Sequence, residues 1–165
     1  MAIGGQIFDK RAEAGARLAR AAVELMQSTG YGQTRSATVG QLAGFDVDVE
    51  VTRVIADEGG SWLATETAKT PMGDAVDATT IEKGTLLVKK RKVTQGPMAV
   101  ELAFDGGKAT GSMAMGGGSK PVDADLGGPL FADGGGSHAV IAALPLAEGY
   151  QTTFRNFNIQ TQKPS

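Results

Sequence analysis

In "GFDVDVEVTRV", residues 44–54, apolar Phe45, Val47, Val49 and Val51 alternate with Asp46, Asp48, Glu50 and Thr52. A period of two is what a strand shows when one face packs on a core and the other meets water, so this segment predicts a half-buried strand. Further strands are expected at "SWLATETAK", "DATTIEK", "TLLVKKRKV", "MAVELAF", "KATGSMAM", "HAVIAAL" and "TTFRNFNIQ". The Asp-Gly of "FDGGK" supplies the positive φ angles of a tight hairpin turn. Short strands joined by turns, with no later helix, predict an antiparallel β meander over about residues 38–160.

Upstream the period changes. "DKRAEAGARLARAAVELMQ", about residues 9–27, is built of helix formers, with Asp9 placed to cap the first turn. Leu18, Ala22 and Leu25 recur at helical spacing beside Ala19, Val23 and Met26, giving one apolar stripe. Ala12, Gly15, Ala16 and Ala19 are small enough for close approach to a sheet, and Gly30 and Gly32 end the helix. The expected fold is α+β and mostly β: a curved antiparallel sheet of about seven to nine strands, a half-barrel or open barrel wrapped on one N-terminal helix.

Composition narrows the chemistry more than it narrows the fold. A chain of 165 residues predicts one domain, residues 1–165. A formal net charge of -2 gives no overall electrostatic footprint for nucleic acid. The absence of cysteine removes disulfides, thiolate metal sites and thiol nucleophiles. No apolar run approaches the roughly 18 residues of a membrane span, and the first residues lack the apolar core of a secretory signal. As it stands the chain is expected to be soluble and cytoplasmic, unless a leader has been removed. The 24 glycines concentrate in the later part of the chain, where they read as turns between strands.

The candidate motifs are mostly structural. One histidine, His138, excludes polyhistidine metal sites, and adjacency to Ser137 does not make a triad, whose members meet through the fold. "GGKATG" and "GSMAMGGGSK" lack the Gly-Lys-Ser/Thr of a phosphate loop and read as turns. Lys89, Lys90, Arg91 and Lys92 form the one dense basic run and are the candidate nucleic-acid patch; strand alternation, however, splits them between two faces. Asp123, Asp125 and Asp133 lack calcium-loop spacing. Trp62, Tyr150, Phe104, Phe131, Phe154 and Phe157 are expected in the core. Small or flexible residues (Ala99, Ala103, Met113, Ala114, Met115) fill space poorly, so a concave sheet lined by them could hold an apolar ligand. The candidate lining residues are Trp62, Met72, Met113, Met115, Leu144 and Tyr150. No catalytic residue, cofactor or metal is expected, and the chain does not read as an enzyme.

Two resemblances add to this. "SWLATETAKTPMGDAVDATTIEKGTLLVKKRKVTQGP", "LAFDGGKATGSM" and "ALPLAEGYQTTFRNF" carry Pro71-Met72-Gly73 with Asp77, Thr85-Leu86, Gln95-Gly96-Pro97, and Leu144-Pro145-Leu146 with Gly149-Tyr150. From about residue 55 onward the chain thereby resembles a bacterial secreted domain family of unknown function, whose sheets look like the half-barrel of the lipoprotein-localisation factors. That implies a non-catalytic binding or carrier module for a lipophilic ligand, in the periplasm or secreted. The family continues with further strands beyond the point where this chain stops. "IGGQIFDKRAEAGARLARAA" with "VGQLAGFDVDVEV", about residues 2–55, resembles a non-motor segment of large bacterial DNA helicase and helicase-methyltransferase proteins. It implies an accessory module for DNA or a protein partner. Two resemblances meeting near residue 55 suggest a fusion, whose extreme form is a folded chimera with no evolved activity. Neither brings catalytic residues. In "ALPLAEGY", Pro145 and Gly149 are expected to shape a turn that Leu144, Leu146 and Tyr150 anchor in the core.

Overall fold

The computed structural model describes residues 33–42, 45–71, 73–131, 133–142, 144 and 147–164. The expected helix at about 9–27, Met72, Pro145 and Leu146 lie outside the described residues.

Eight strands follow one another as an open antiparallel meander: β1 (Gln33–Leu42), β2 (Phe45–Glu58), β3 (Ser61–Thr70), β4 (Gly73–Glu82), β5 (Val88–Gln95), β6 (Met98–Asp105), β7 (Lys108–Met115) and β8 (Gly118–Asp125). Each pairs with its sequence neighbour, and β1 does not close onto β8. The chain is thus a mostly β, curved α+β domain, as the alternation predicts. The register carries two rows of side chains across one face. Ile55, Ala64, Thr79, Arg91, Leu102, Gly111 and Val122 form the first, and Arg53, Glu66, Asp77, Val93, Val100 and Met113 the second. At the start of β5 the pairing steps from Thr80↔Lys90 to Ile81↔Val88, leaving Lys89 as the extra residue of a bulge. Bulged residues leave the ladder, so Val88 is buried while Lys89 turns to an ion pair with Glu82 at 3.2 Å.

What covers this face are the described residues after β8 (126–131, 133–142, 144 and 147–158), which we call the strap. It holds a 3₁₀ turn (Gly134–Gly136), one short helix α1 (Ser137–Ala142), and β9 (Phe157–Asn158), which pairs with β10 (Lys163–Pro164). Leu126, Leu130 and Phe157 of the strap pack on Val88, Val100, Leu102, Phe104, Ala109, Val122 and Ala124. Val140, with half-buried Phe131 and Phe154, packs on Trp62, Ala64, Ile81 and Leu86. Each fully buried large apolar side chain stabilises by roughly 1.5–3 kcal/mol, so these strap residues are what keeps the sheet face dry. Two main-chain hydrogen bonds fix the strap's first half: Leu126 N–H donates to Gly107 O (2.7 Å) and Val88 N–H to Leu130 O (3.1 Å).

Three expectations are corrected. "HAVIAAL" is not a strand: α1 occupies its first part, with Val140 as its buried residue, because the 3₁₀ turn before it already carries the chain in a helical sense above the sheet. "TTFRNFNIQ" supplies only the two residues of β9, since its neighbours are spent crossing the surface. β8, which the alternation did not suggest, forms from "GSKPVDAD"; Pro121 is tolerated there because β8 ends the sheet.

Gly111 in β7 takes φ +153°, and a Cβ there would lie 1.9 Å from the carbonyl oxygen of Glu101. Gly116, at the β7–β8 turn, has φ +59° but open space around it. Gly116→Ala is therefore expected to cost about 1–2 kcal/mol, the left-handed penalty alone. Gly111→Ala adds displacement of β6 from β7 and should cost clearly more, read as the difference in urea midpoint between the two variants.

Candidate functional site

Two features on the covered side could carry function: a polar cluster beneath the strap and a groove on its outer surface.

The cluster sits between the two apolar cores. Thr79 and Arg91 are opposite each other in the first row, and Asp77 precedes Thr79 by two residues on the same face of β4. The Arg91 guanidinium grips Asp77 through Nε (3.0 and 3.2 Å to the two oxygens) and Nη2 (2.7 Å), and donates from Nη1 to Asp133 Oδ2 of the strap at 3.3 Å. Thr79 Oγ1 donates to Asp77 Oδ1 (3.2 Å) and accepts from Gly135 N–H (3.1 Å). Asp133 also faces the backbone N–H groups of Gly134 and Phe157, so it ties the 3₁₀ turn and β9 to β5. Burial alone would lower the pKa of Arg91; Asp77 and Asp133 more than offset this and hold it above the ordinary value. Burial pushes the Asp133 carboxyl up, against the pull of Arg91, and the nearby Asp77 adds to the rise.

Only glycine lets the strap lie this close. A Cβ at Gly135 would be 2.5 Å from Asp77 O, and one at Gly134 would be 2.4 Å from Thr79 Oγ1. The run "DGGGS" is therefore an approach of backbone to sheet, a signal present in the sequence but hidden among other glycine clusters that do form turns. Beside it, Arg53 Nε meets Glu66 Oε2 at 2.6 Å, and Arg53 Nη2 lies 3.3 Å from His138 Nε2. His138 serves this contact between α1 and β2; among the described residues no hydrogen bond joins it to Ser137. Every donor of this cluster that the distances define is directed at the protein's own strap or strands, so the arrangement fastens the two together.

The basic run is taken apart by the fold. Arg91 points under the strap, Lys89 pairs with Glu82, and Lys92 pairs with Glu101 on the outer face at 2.6 Å. Lys90 is exposed and has no ion-pair partner among the described residues. Asp123 and Asp125 belong to the outer face of β8, away from Asp133.

The groove has a volume of about 580 Å³ and is open to solvent. It is lined by Ile141 at the end of α1, Leu144, and the stretch Tyr150, Gln151, Thr152, Thr153 and Phe154. Gly149 (φ +77°) and a Tyr150 N–H to Ala147 O bond of 3.0 Å make the turn that brings Tyr150 back. Tyr150 is not a core anchor as expected; it is 37% exposed, because the turn ends on the protein surface. Of the sequence candidates, Leu144 and Tyr150 are brought together here. Trp62 is elsewhere, buried in the smaller core with Lys83 Nζ 4.0 Å from its ring centre. Met113 packs at the margin of the larger core and Met115 is exposed on β7. Ile141 and Phe154 were not among the candidate lining residues, since nothing local in "HAVIAAL" or "TTFRNF" places them on one wall.

Removing Arg91 leaves one buried carboxylate, Asp133, and one half-buried carboxylate, Asp77, without their cation. Arg91→Met is expected to cost about 3–5 kcal/mol in urea unfolding, whereas Lys92→Met, whose ion pair is 60% and 64% exposed, should leave the midpoint unchanged. No protein-family model matches this chain, no curated protein matches it, and no solved structure matches it.

Proposed function

We propose that the domain is a non-catalytic binding module for a lipophilic small molecule, held in the groove of the strap. The observation that carries this reading is that Ile141 and Tyr150, large side chains 38% and 37% exposed, face one groove together with Leu144 and Phe154. Its volume falls within the roughly 300–1,000 Å³ of small-ligand sites, and Gln151, Thr152 and Thr153 supply the few polar groups that orient a ligand in such sites. The half-barrel reading places the ligand against the sheet; here the strap's own Leu126, Leu130, Val140 and Phe157 occupy that face, and the ligand is assigned to the outer surface instead.

Titration with an environment-sensitive apolar dye, followed by displacement with a medium-chain fatty acid, tests it. Saturable binding is expected, and the double variant Ile141→Ser, Tyr150→Ser should weaken it about tenfold or more while leaving the thermal midpoint nearly unchanged, because neither side chain is buried. Binding that is not saturable, or that is equal in the double variant, overturns the assignment.

A further inference from the structure

The polar cluster has an unequal charge count that fastening alone does not require. Three carboxylates (Glu66, Asp77, Asp133) face two guanidinium groups (Arg53, Arg91). Glu66 has its own cation in Arg53, so Asp77 and Asp133 share Arg91. The sharing is uneven: Arg91 gives Asp77 three of its hydrogen bonds and Asp133 a single longer one. The less favoured partner is the more enclosed, with the side chain of Asp133 9% exposed against 20% for Asp77. One negative charge in excess thus sits at the point where the strap touches the sheet.

We propose that Arg91, Asp77 and Asp133 form a proton-operated latch that holds the strap on the sheet more tightly when the carboxylate pair takes up one proton. Two carboxylates that share a site resist simultaneous ionisation, and opening the strap would return Asp133 to water, where it ionises freely. Closing the strap and binding the proton therefore favour each other. The sign follows from the upward displacement of Asp133: stability gained from its proton is complete below the unfolded value of 3.8 and is lost as pH rises through the higher folded value. The other charged groups near the latch are accounted for. On β3 and β2, Glu66 and Arg53 neutralise each other; on α1, His138 faces Arg53; Lys89 and Glu82 pair at the bulge; Arg155 of the strap lies against Gly128; Lys90, Lys92 and Glu101 are on the opposite face. The latch does not depend on what the groove binds.

Amide hydrogen exchange across residues 133–142 and at Phe157, corrected for intrinsic rates, reads the opening of the strap directly. Measured from pH 7.5 to 3.5, the protection of wild type relative to Asp133→Asn should rise as pH falls, by at most tenfold per pH unit for one proton. Asp77→Asn, which leaves Asp133 alone with Arg91, guards against misfolding of the Asp133→Asn variant and should likewise lack the wild-type rise. His138→Gln should keep it. Referring wild type to the variants removes the general acid destabilisation from carboxyls held below their ordinary values, among them Asp57 by Lys83, Glu82 by Thr85 and Lys89, and Glu101 by Lys92. The latch is overturned if both Asp→Asn variants follow wild type at every pH, if His138→Gln abolishes the rise, or if relative protection falls on acidification.

Discussion

A guanidinium placed in the middle of a covered sheet face loses its water and must find every partner within the protein. Arg91 meets this demand with Asp77 from the adjoining strand and Asp133 from the strap, and the rest of the covered side is arranged around the result. Thr79, fully buried, bridges from Asp77 to the strap backbone, and three successive glycines let that backbone come within hydrogen-bonding reach. The ion pair adds little net stability by burial alone, since desolvation opposes the Coulomb attraction. What it supplies is position: a strap seated one residue away along its path would leave Asp133 buried without its cation.

That polar row also explains why the interior consists of two clusters. Leu102 and Val122 lie in the same row as Thr79 and Arg91, yet the apolar contacts of one side stop at Arg91 and those of the other at Ala64. Neither cluster has its own lid. Phe157 and Leu130 close one and Val140 closes the other, and all three belong to the strap, so both cores lose their cover if the strap lifts. The polar contacts between them are the part of this cover that responds to charge, while the apolar contacts set how much opening costs.

Strands β2 to β7 were legible, and β1 was not, because a sheet with one wet and one dry face writes itself into sequence with a period of two only where the alternation is strong. β2 through β7 carry that signal in residues such as Val100, Leu102 and Phe104. β8 was not legible: its inward residues Val122 and Ala124 stand among Lys120, Pro121, Asp123 and Asp125, and two small apolar residues are too few to show a period. The six residues of α1 are too short for periodicity to separate helix from strand, and only the preceding glycines decide the matter. The basic run was read correctly as divided between faces, but sequence spacing could not show that Arg91 is the one turned inward, since that depends on a bulge at Lys89 and on an aspartate more than forty residues later. Leu144 and Tyr150, candidates from the sequence, line the groove together with Ile141 and Phe154, which come from different parts of the strap and meet only through its path.

The strap therefore carries two duties that the sheet does not. Its inner side seals the cores and its outer side forms the groove, with Ile141 and Val140 adjacent in one helix and pointing to opposite duties. Segments of irregular backbone are where binding groups concentrate in many folds, because a rigid scaffold can hold them without constraining their sequence. Here the scaffold is an eight-stranded meander of local hairpins, and among the groove residues Phe154 packs against the smaller core on it. Whatever tightens those contacts also fixes the spacing of the groove walls, since Phe154 belongs to both the smaller core and the groove, its ring stacked 5.8 Å from that of Phe131. A proton taken up by the proposed latch and a ligand held in the proposed site would act on one segment, and any coupling between them would be reciprocal: a ligand that prefers the seated strap would raise the proton affinity of the latch by the same factor that the proton raises the ligand's.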